Sequence, residues 1–230
     1  MIWLLLTCFS LCLQAATVTG RVELRDSKEH KKQDYSGVVV WLERLDKTAS
    51  KPMPEHVKMI QKDKTFLPHV LAIPTGSTVD FPNLDPIFHN AFSNYDGQVF
   101  DVGLYPPGTS RSVRFSRPGV VRIFCNIHSA MSAIIAVLDS NSFDITKSDG
   151  RFEIRDVAPG EYRLHLFHER ASPSTMNSIS MPVSVFDSPV NLAPIAISEN
   201  GFLAVPHKDK YGREYKPVPA DTGSYPVTRK

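Results

Sequence analysis

The sequence is poor in cysteine: three occur in 230 residues, and two of them, Cys8 and Cys12, fall inside the opening stretch MIWLLLTCFSLCLQAA. That stretch, residues 1–16, reads as the apolar core of a secretory signal ending in small residues, so a periplasmic or secreted location is expected. The mature chain is then expected to keep Cys125 alone, which excludes an intramolecular disulfide. A single thiol in an oxidising compartment is open to oxidation or intermolecular pairing unless it is buried or bound to a metal. Neither LLTC nor SLC has the small residue directly before cysteine that lipid attachment favours.

An excess of charge of one sign is also missing. The 26 Lys and Arg against 24 Asp and Glu leave a net charge of +2, too little to argue for nucleic acid. After the opening stretch no run approaches the roughly 18 apolar residues a membrane helix requires, so no membrane span is expected. No repeat of fixed period occurs, and no Ser-His-Asp or paired-carboxylate pattern stands out that would point to an enzyme.

Short strand-like runs are abundant. From Thr17 to about Ser140 they include TVTGRVEL, GVVVWLER, HVLAI, STVDF, RSVRF, GVVRIFC and SAIIAVL, punctuated by turn formers at Gly76, Pro82 with Asn83, Pro106 to Gly108, and Pro118 with Gly119. The pattern predicts an all-β sandwich over residues 17–140. Within it, Lys51 to Lys64 is charged and contains two prolines, and it reads as a surface excursion. A second, smaller β-sandwich is predicted over 141–198, where FDITKSDGRFEIRDVAPGEYRLHLFHE gives strands joined by the turns SDG and APG. Residues 199–230 form a tail rich in Pro, Tyr and Lys without strand alternation, expected to lie along the surface or to be partly disordered.

The chemistry concentrates in FCNIHSAM, between two runs of β-branched and aromatic residues. A hairpin loop there would project Cys125, His128 and Met131 from one tight turn. A thiolate, an imidazole and a thioether are soft to intermediate donors that suit copper; zinc would take Cys125 and His128 but gains little from a thioether. A trigonal site of two histidines and one cysteine with a long axial methionine needs a further imidazole, and FPNLDPIFHNAF supplies His89. The other histidines have plainer readings. His69 is expected to pack or sit at a rim; His165 and His168 point to opposite faces of a strand; His30, His56 and His207 lie among charges and are expected to be solvated.

These residues resemble the cupredoxin family, in particular its plastocyanin and amicyanin branch. The resemblance lies in Gly76, Thr78, Val79 and Phe81, then Asn83 and Asp85, then His89 followed by Asn90, and finally PGVVRIFC leading into the C-x2-H-x2-M loop. It implies a Greek-key sandwich holding one copper ion, Cu(I) or Cu(II), with His89 and His128 as equatorial imidazoles, Cys125 as thiolate and Met131 as the weak axial donor. It implies Asn90 as a hydrogen-bonding support beside the sulfur. It also implies a one-electron carrier, not an enzyme, that meets a redox partner protein near His128 through an apolar patch including Ile127, Ala130, Pro86 and Phe88. A copper carrier or sensor with the same ligands is the alternative, and a purely structural β protein a third reading. The His-x-His pairs of a multicopper oxidase are missing. The run TKSDGRFEIRDVAPGEYRL resembles the carboxypeptidase regulatory-like, or transthyretin-like, sandwich, which is nearly silent on function. The whole order is similar to that of bacterial exported proteins labelled methylamine utilisation or plastocyanin-like.

Overall fold

The computed structural model describes residues 15–26, 34–46, 50–94, 97–200 and 207–215. Nearly all of the expected export segment lies outside these residues; Ala16, its last residue, already opens the first strand, Ala16–Arg25. The architecture is all-β and multi-sheet, with one seven-residue helix among the described residues, Pro173–Ile179, whose cap Ser172 accepts from the Thr175 N–H.

Two sheets surround the candidate site. Thr78–Pro82 pairs with Ser110–Arg114 and His56–Lys58. A five-stranded sheet runs in the order Val70–Pro74, Ser132–Leu138, Gly119–Phe124, Phe92–Ser93, Phe100–Asp101. Val79, Phe81, Phe115, Ile123 and Ile135 fill the space between them with no exposed surface. Burial of about 25 cal/mol per Å² of apolar surface is the main force holding such a layer pair.

The sequence predicts residues 17–140 as one unit, but the hydrogen bonding divides the chain differently. Ala16–Arg25 pairs with Arg151–Val157 and, in parallel, with Ile195–Ser198, while Val39–Arg44 pairs with Phe143–Ile145 and Gly160–Phe167. The first two strands therefore share sheets and a core (Val22, Val40, Ile154, Leu164, Ile197) with the strands after residue 141. Alternation along a strand shows which face is buried but not which distant strand will pair with it, so the partition could not be read from the pattern.

Ser132–Leu138 joins the two parts. Ala133, Ile135 and Val137 face the site-bearing core, whereas Ala136 and Leu138 pack with Val39 and Ala72. Burial on both faces explains why AIIAVL is continuously apolar instead of alternating. A second correction concerns Lys51 to Lys64. It contains the short strands His56–Lys58 and Ile60–Lys62, and between and within them Met59 and Gln61 are fully buried. Surrounding charges mask two inward-facing residues whose environment is set by the neighbouring strand Thr78–Pro82.

An ion pair also crosses between the parts. Both nitrogens of the His69 ring meet acceptors, Ser132 O at 3.1 Å and Glu169 Oε2 at 3.0 Å. The Glu169 carboxylate, against the cost of partial burial, raises the His69 pKa above its ordinary value of 6.5. A raised folded-state pKa means that the contact adds stability that is fully present below that value and fades as pH rises through the folded one. NMR titration is therefore expected to place His69 above 6.5, and Glu169→Gln to bring it back down; an unchanged midpoint in that variant would contradict the pairing. His165 lies on Gly160–Phe167 and His168 just past its end, not on an opposite strand face, and the two have separate partners, Glu43 at 2.7 Å and Glu199 at 2.6 Å.

Candidate metal centre

The first side of the site is a loop that follows Thr78–Pro82. Buried Asn83 shapes it: its amide donates to Ile87 O at 2.8 Å, and its Oδ1 accepts from the Asp85 N–H at 3.1 Å, an Asx-type turn. Asp85 is thereby turned inward. Its carboxylate accepts the N–H groups of Asp63 at 2.6 Å and Lys64 at 2.9 Å, and lies 2.7 Å from His89 Nε2. Burial works to raise the Asp85 pKa, but these donors outweigh it and hold the carboxyl below the usual range.

An ionised carboxylate on Nε2 keeps the proton on that nitrogen and leaves Nδ1 of His89 as a lone-pair donor. Main-chain bonds between His89 and Tyr105, 3.3 and 2.9 Å, fix the backbone beneath the ring. Tyr105 is itself fully buried, and its hydroxyl donates to Phe81 O at 2.8 Å.

The second side comes from the end of Gly119–Phe124. The strand delivers Cys125 into the core, and the loop closes on itself through Cys125 N–H to Met131 O at 3.2 Å and Met131 N–H to His128 O at 3.0 Å. Asn90 ties the two sides together. Its Oδ1 accepts the Asn126 N–H at 2.5 Å, and its carbonyl accepts Gln61 Nε2 at 3.0 Å. Burial pushes the Cys125 thiol pKa up, opposed by the N–H groups of Asn90, Ile127 and His128 that face the sulfur. The thiol is thus neutral at ordinary pH until a cation arrives to take the place of its proton.

His89, Cys125 and His128 converge. Sγ lies 3.7 Å from each of the two Nδ1 atoms, which are 3.1 Å apart. Nitrogen donors about 2.0 Å and a sulfur about 2.3 Å from one centre stand roughly 3.3–3.5 Å (N to N) and 3.5–3.7 Å (N to S) apart in trigonal or tetrahedral geometry. The triangle therefore fits a single ion with little adjustment. His89 and Cys125 are fully buried and His128 is half-buried. Met131 is fully buried in the same apolar cluster as Cys125, and its main chain closes the loop.

Two participants lay outside the sequence reading. Asp85 belongs to the motif quoted above, but its position four residues before His89 in a loop carries no directional information and so no role can be read from it. The other is the C-terminal segment 207–215, expected along the surface, which packs on the cysteine loop. His207, expected to be solvated, instead stacks on Phe124 with ring centroids 4.1 Å apart.

No protein-family model and no curated protein matches the chain. Solved structures do. The chain is similar to copper proteins of the cupredoxin type over part of its length. A copper-containing nitrite reductase from Thermus scotoductus SA-01 is 28% identical over 42% of this chain, with a TM-score of 0.35, and the match spans 25% of the reductase. A purple cupredoxin from Nitrosopumilus maritimus is 24% identical over 36% of this chain and 99% of its own, with a TM-score of 0.33. Amicyanin from Paracoccus versutus is 19% identical over 42% of this chain and 97% of its own, with a TM-score of 0.35.

Proposed function

We propose that this protein is an exported type 1 copper protein that carries single electrons between partner proteins. The observation that supports the reading most is the buried triangle of Cys125 Sγ and two imidazole Nδ1 atoms, with edges of 3.1 to 3.7 Å. Copper, when bound, supplies the one-electron couple. The chain's own residues do the rest. Cys125 gives up its proton to become the anionic donor, Asp85 fixes the His89 tautomer, and Asn90 holds the cysteine loop against the histidine loop.

One thiolate and two neutral imidazoles place a single negative charge on the donor set. Burial penalises net charge, so with copper bound it would favour the uncharged reduced assembly over the oxidised one and push the potential upward. Asp85, a nearby anion, works in the opposite sense. Met131 would supply the fourth donor, and four protein donors would leave no position for a substrate, which favours electron transfer over catalysis.

The partner is proposed to dock around His128, the one donor residue with surface access. Pro86, Phe88 and Ala130 are exposed on the two ligand loops beside it, and Ile127 is half-buried. Redox encounters of this kind bury little, below about 1,200 Å², so exchange is fast.

The reading is tested by adding one equivalent of Cu(II) and recording the visible spectrum and a voltammogram. An intense visible band and a reversible one-electron couple are expected. A colourless one-to-one zinc complex that resists copper would overturn it, and facile transfer of copper to an acceptor without a reversible couple would favour the carrier alternative. Met131→Leu is expected to keep the colour and to raise the potential, because the equatorial donors survive while a donor that stabilises Cu(II) is lost. An unchanged potential and spectrum would reduce Met131 to packing.

A further inference from the structure

We propose that residues 207–215 are a strap that fastens the two ligand loops to each other and sets how fast the thiol of Cys125, and the metal it holds, can be released. The metal half of this inference rests on the copper reading above; the thiol half does not.

Three consecutive residues at the junction of the strand and the cysteine loop, Phe124 to Asn126, each have a partner on the strap. The His207 ring stacks on Phe124 at 4.1 Å and 29°. The Tyr215 hydroxyl donates to Cys125 O at 2.7 Å. The Lys210 N–H donates to Asn126 Oδ1 at 3.0 Å. Lys210 then reaches further. Its Nζ pairs at 2.6 Å with Asp101 Oδ2, and Asp101 Oδ1 accepts from Asn90 Nδ2 at 3.3 Å. Asn90 follows His89 directly and holds the Asn126 N–H, so Lys210 closes a ring of contacts around the junction of the two loops.

The strap is also shaped in advance. Buried Asp209 accepts the N–H groups of Tyr211 and Arg213 at 2.9 and 2.8 Å and the Arg213 Nε at 3.1 Å. The main chains of Asp209 and Arg213 bond at 2.8 Å. A segment already folded into a turn loses little entropy on docking, so its contacts act almost fully on the loop. The Cys125 sulfur has no exposed surface, and a reagent or chelator must open this loop to reach it.

The test uses the full chain. In the metal-free protein, alkylation of Cys125 by iodoacetamide is followed by mass spectrometry of its peptide, which separates it from Cys8 and Cys12. In the Cu(I)-loaded protein, metal release to excess bathocuproine disulfonate is timed. Tyr215→Phe, which keeps the ring against His207, and Tyr215→Phe with Lys210→Ala are compared with the parent. Loss of the Tyr215 hydroxyl's contacts with Cys125 O at 2.7 Å and His207 Nδ1 at 3.2 Å, together with one charged contact, is expected to speed both processes about tenfold or more in the double variant. The urea midpoint should stay unchanged, and Lys210→Arg in place of Ala should restore most of the protection. Unchanged alkylation would overturn the strap, and so would an acceleration fully matched by loss of global stability. Failure of the loaded protein to show a thiolate band would instead count against the copper reading, and alkylation would still decide the strap.

Discussion

Cys125→Ser is expected to give a folded protein that stays colourless with Cu(II). The side chain is fully buried, and serine is nearly its size, so no cavity opens. A buried hydroxyl is tolerated only if it is bonded, and the N–H groups of Asn90, Ile127 and His128 that now face the sulfur are positioned to serve the oxygen. The cost to folding is therefore small, about 1 kcal/mol, readable as a modest shift in the urea midpoint. The effect on the metal is large. The thiolate would be the only anionic donor of the set and, under the copper reading, the origin of the visible band, and two neutral imidazoles 3.1 Å apart make a far weaker site. Circular dichroism like the parent's with no visible absorbance is the outcome expected; retained colour would place the sulfur outside the coordination sphere.

The second large effect is expected from Asp85→Asn. Both carboxylate oxygens are accepting: Oδ1 takes the Asp63 N–H at 2.6 Å, and Oδ2 takes the Lys64 N–H at 2.9 Å and faces His89 Nε2 at 2.7 Å. An amide can accept on only one side. If its NH2 replaces Oδ1, it confronts the Asp63 N–H. If it replaces Oδ2, it confronts the Lys64 N–H and drives the His89 proton from Nε2 to Nδ1, the nitrogen that should bind the metal. Either way a part-buried donor loses its acceptor, at about 1 kcal/mol. Metal affinity is expected to fall about 10–100-fold, as losses of such supporting contacts do. Competition with a chromogenic chelator and urea unfolding measure the two effects separately. In the parent, the lowered Asp85 pKa means that this loop's contribution is present above the ordinary value of 3.8 and is lost as pH falls through the folded value. Undiminished affinity in the variant would show that the tautomer of His89 does not depend on Asp85.

The parts of the site legible in the sequence are those fixed by short chain distances. Cys125, His128 and Met131 share one loop, and the apolar strands on either side of it fix where that loop begins and ends. His89 was legible through the residues around it, as one further imidazole was required. Asp85 was visible as a letter but not as a direction, because an Asx turn made by Asn83 decides where its carboxylate points. The strap was not legible, since hydrogen bonds from a hydroxyl and an ammonium to partners 90 and 109 residues away leave no periodicity behind. Strand existence was likewise read well and strand partnership poorly. Ala16–Arg25 alternates as a strand should, yet its neighbours lie more than a hundred residues along the chain.

That partnership has a consequence for how electrons would be exchanged. Chain enters the site-bearing sheets from Val39–Arg44 and leaves them through Ser132–Leu138 into Phe143–Ile145, and the strands on either side of this excursion, Val39–Arg44 and Phe143–Ile145, are hydrogen-bonded neighbours. The site-bearing sheets are thus held by both ends at one seam, reinforced by the packing of Ala136 and Leu138 on Val39. A bead on a single flexible thread can swing to meet successive partners; a bead gripped at both ends cannot. His128 therefore keeps a fixed bearing relative to the sheets built on Ala16–Arg25 and Val39–Arg44, so a partner docking there, under the proposed function, would meet both parts in one set orientation.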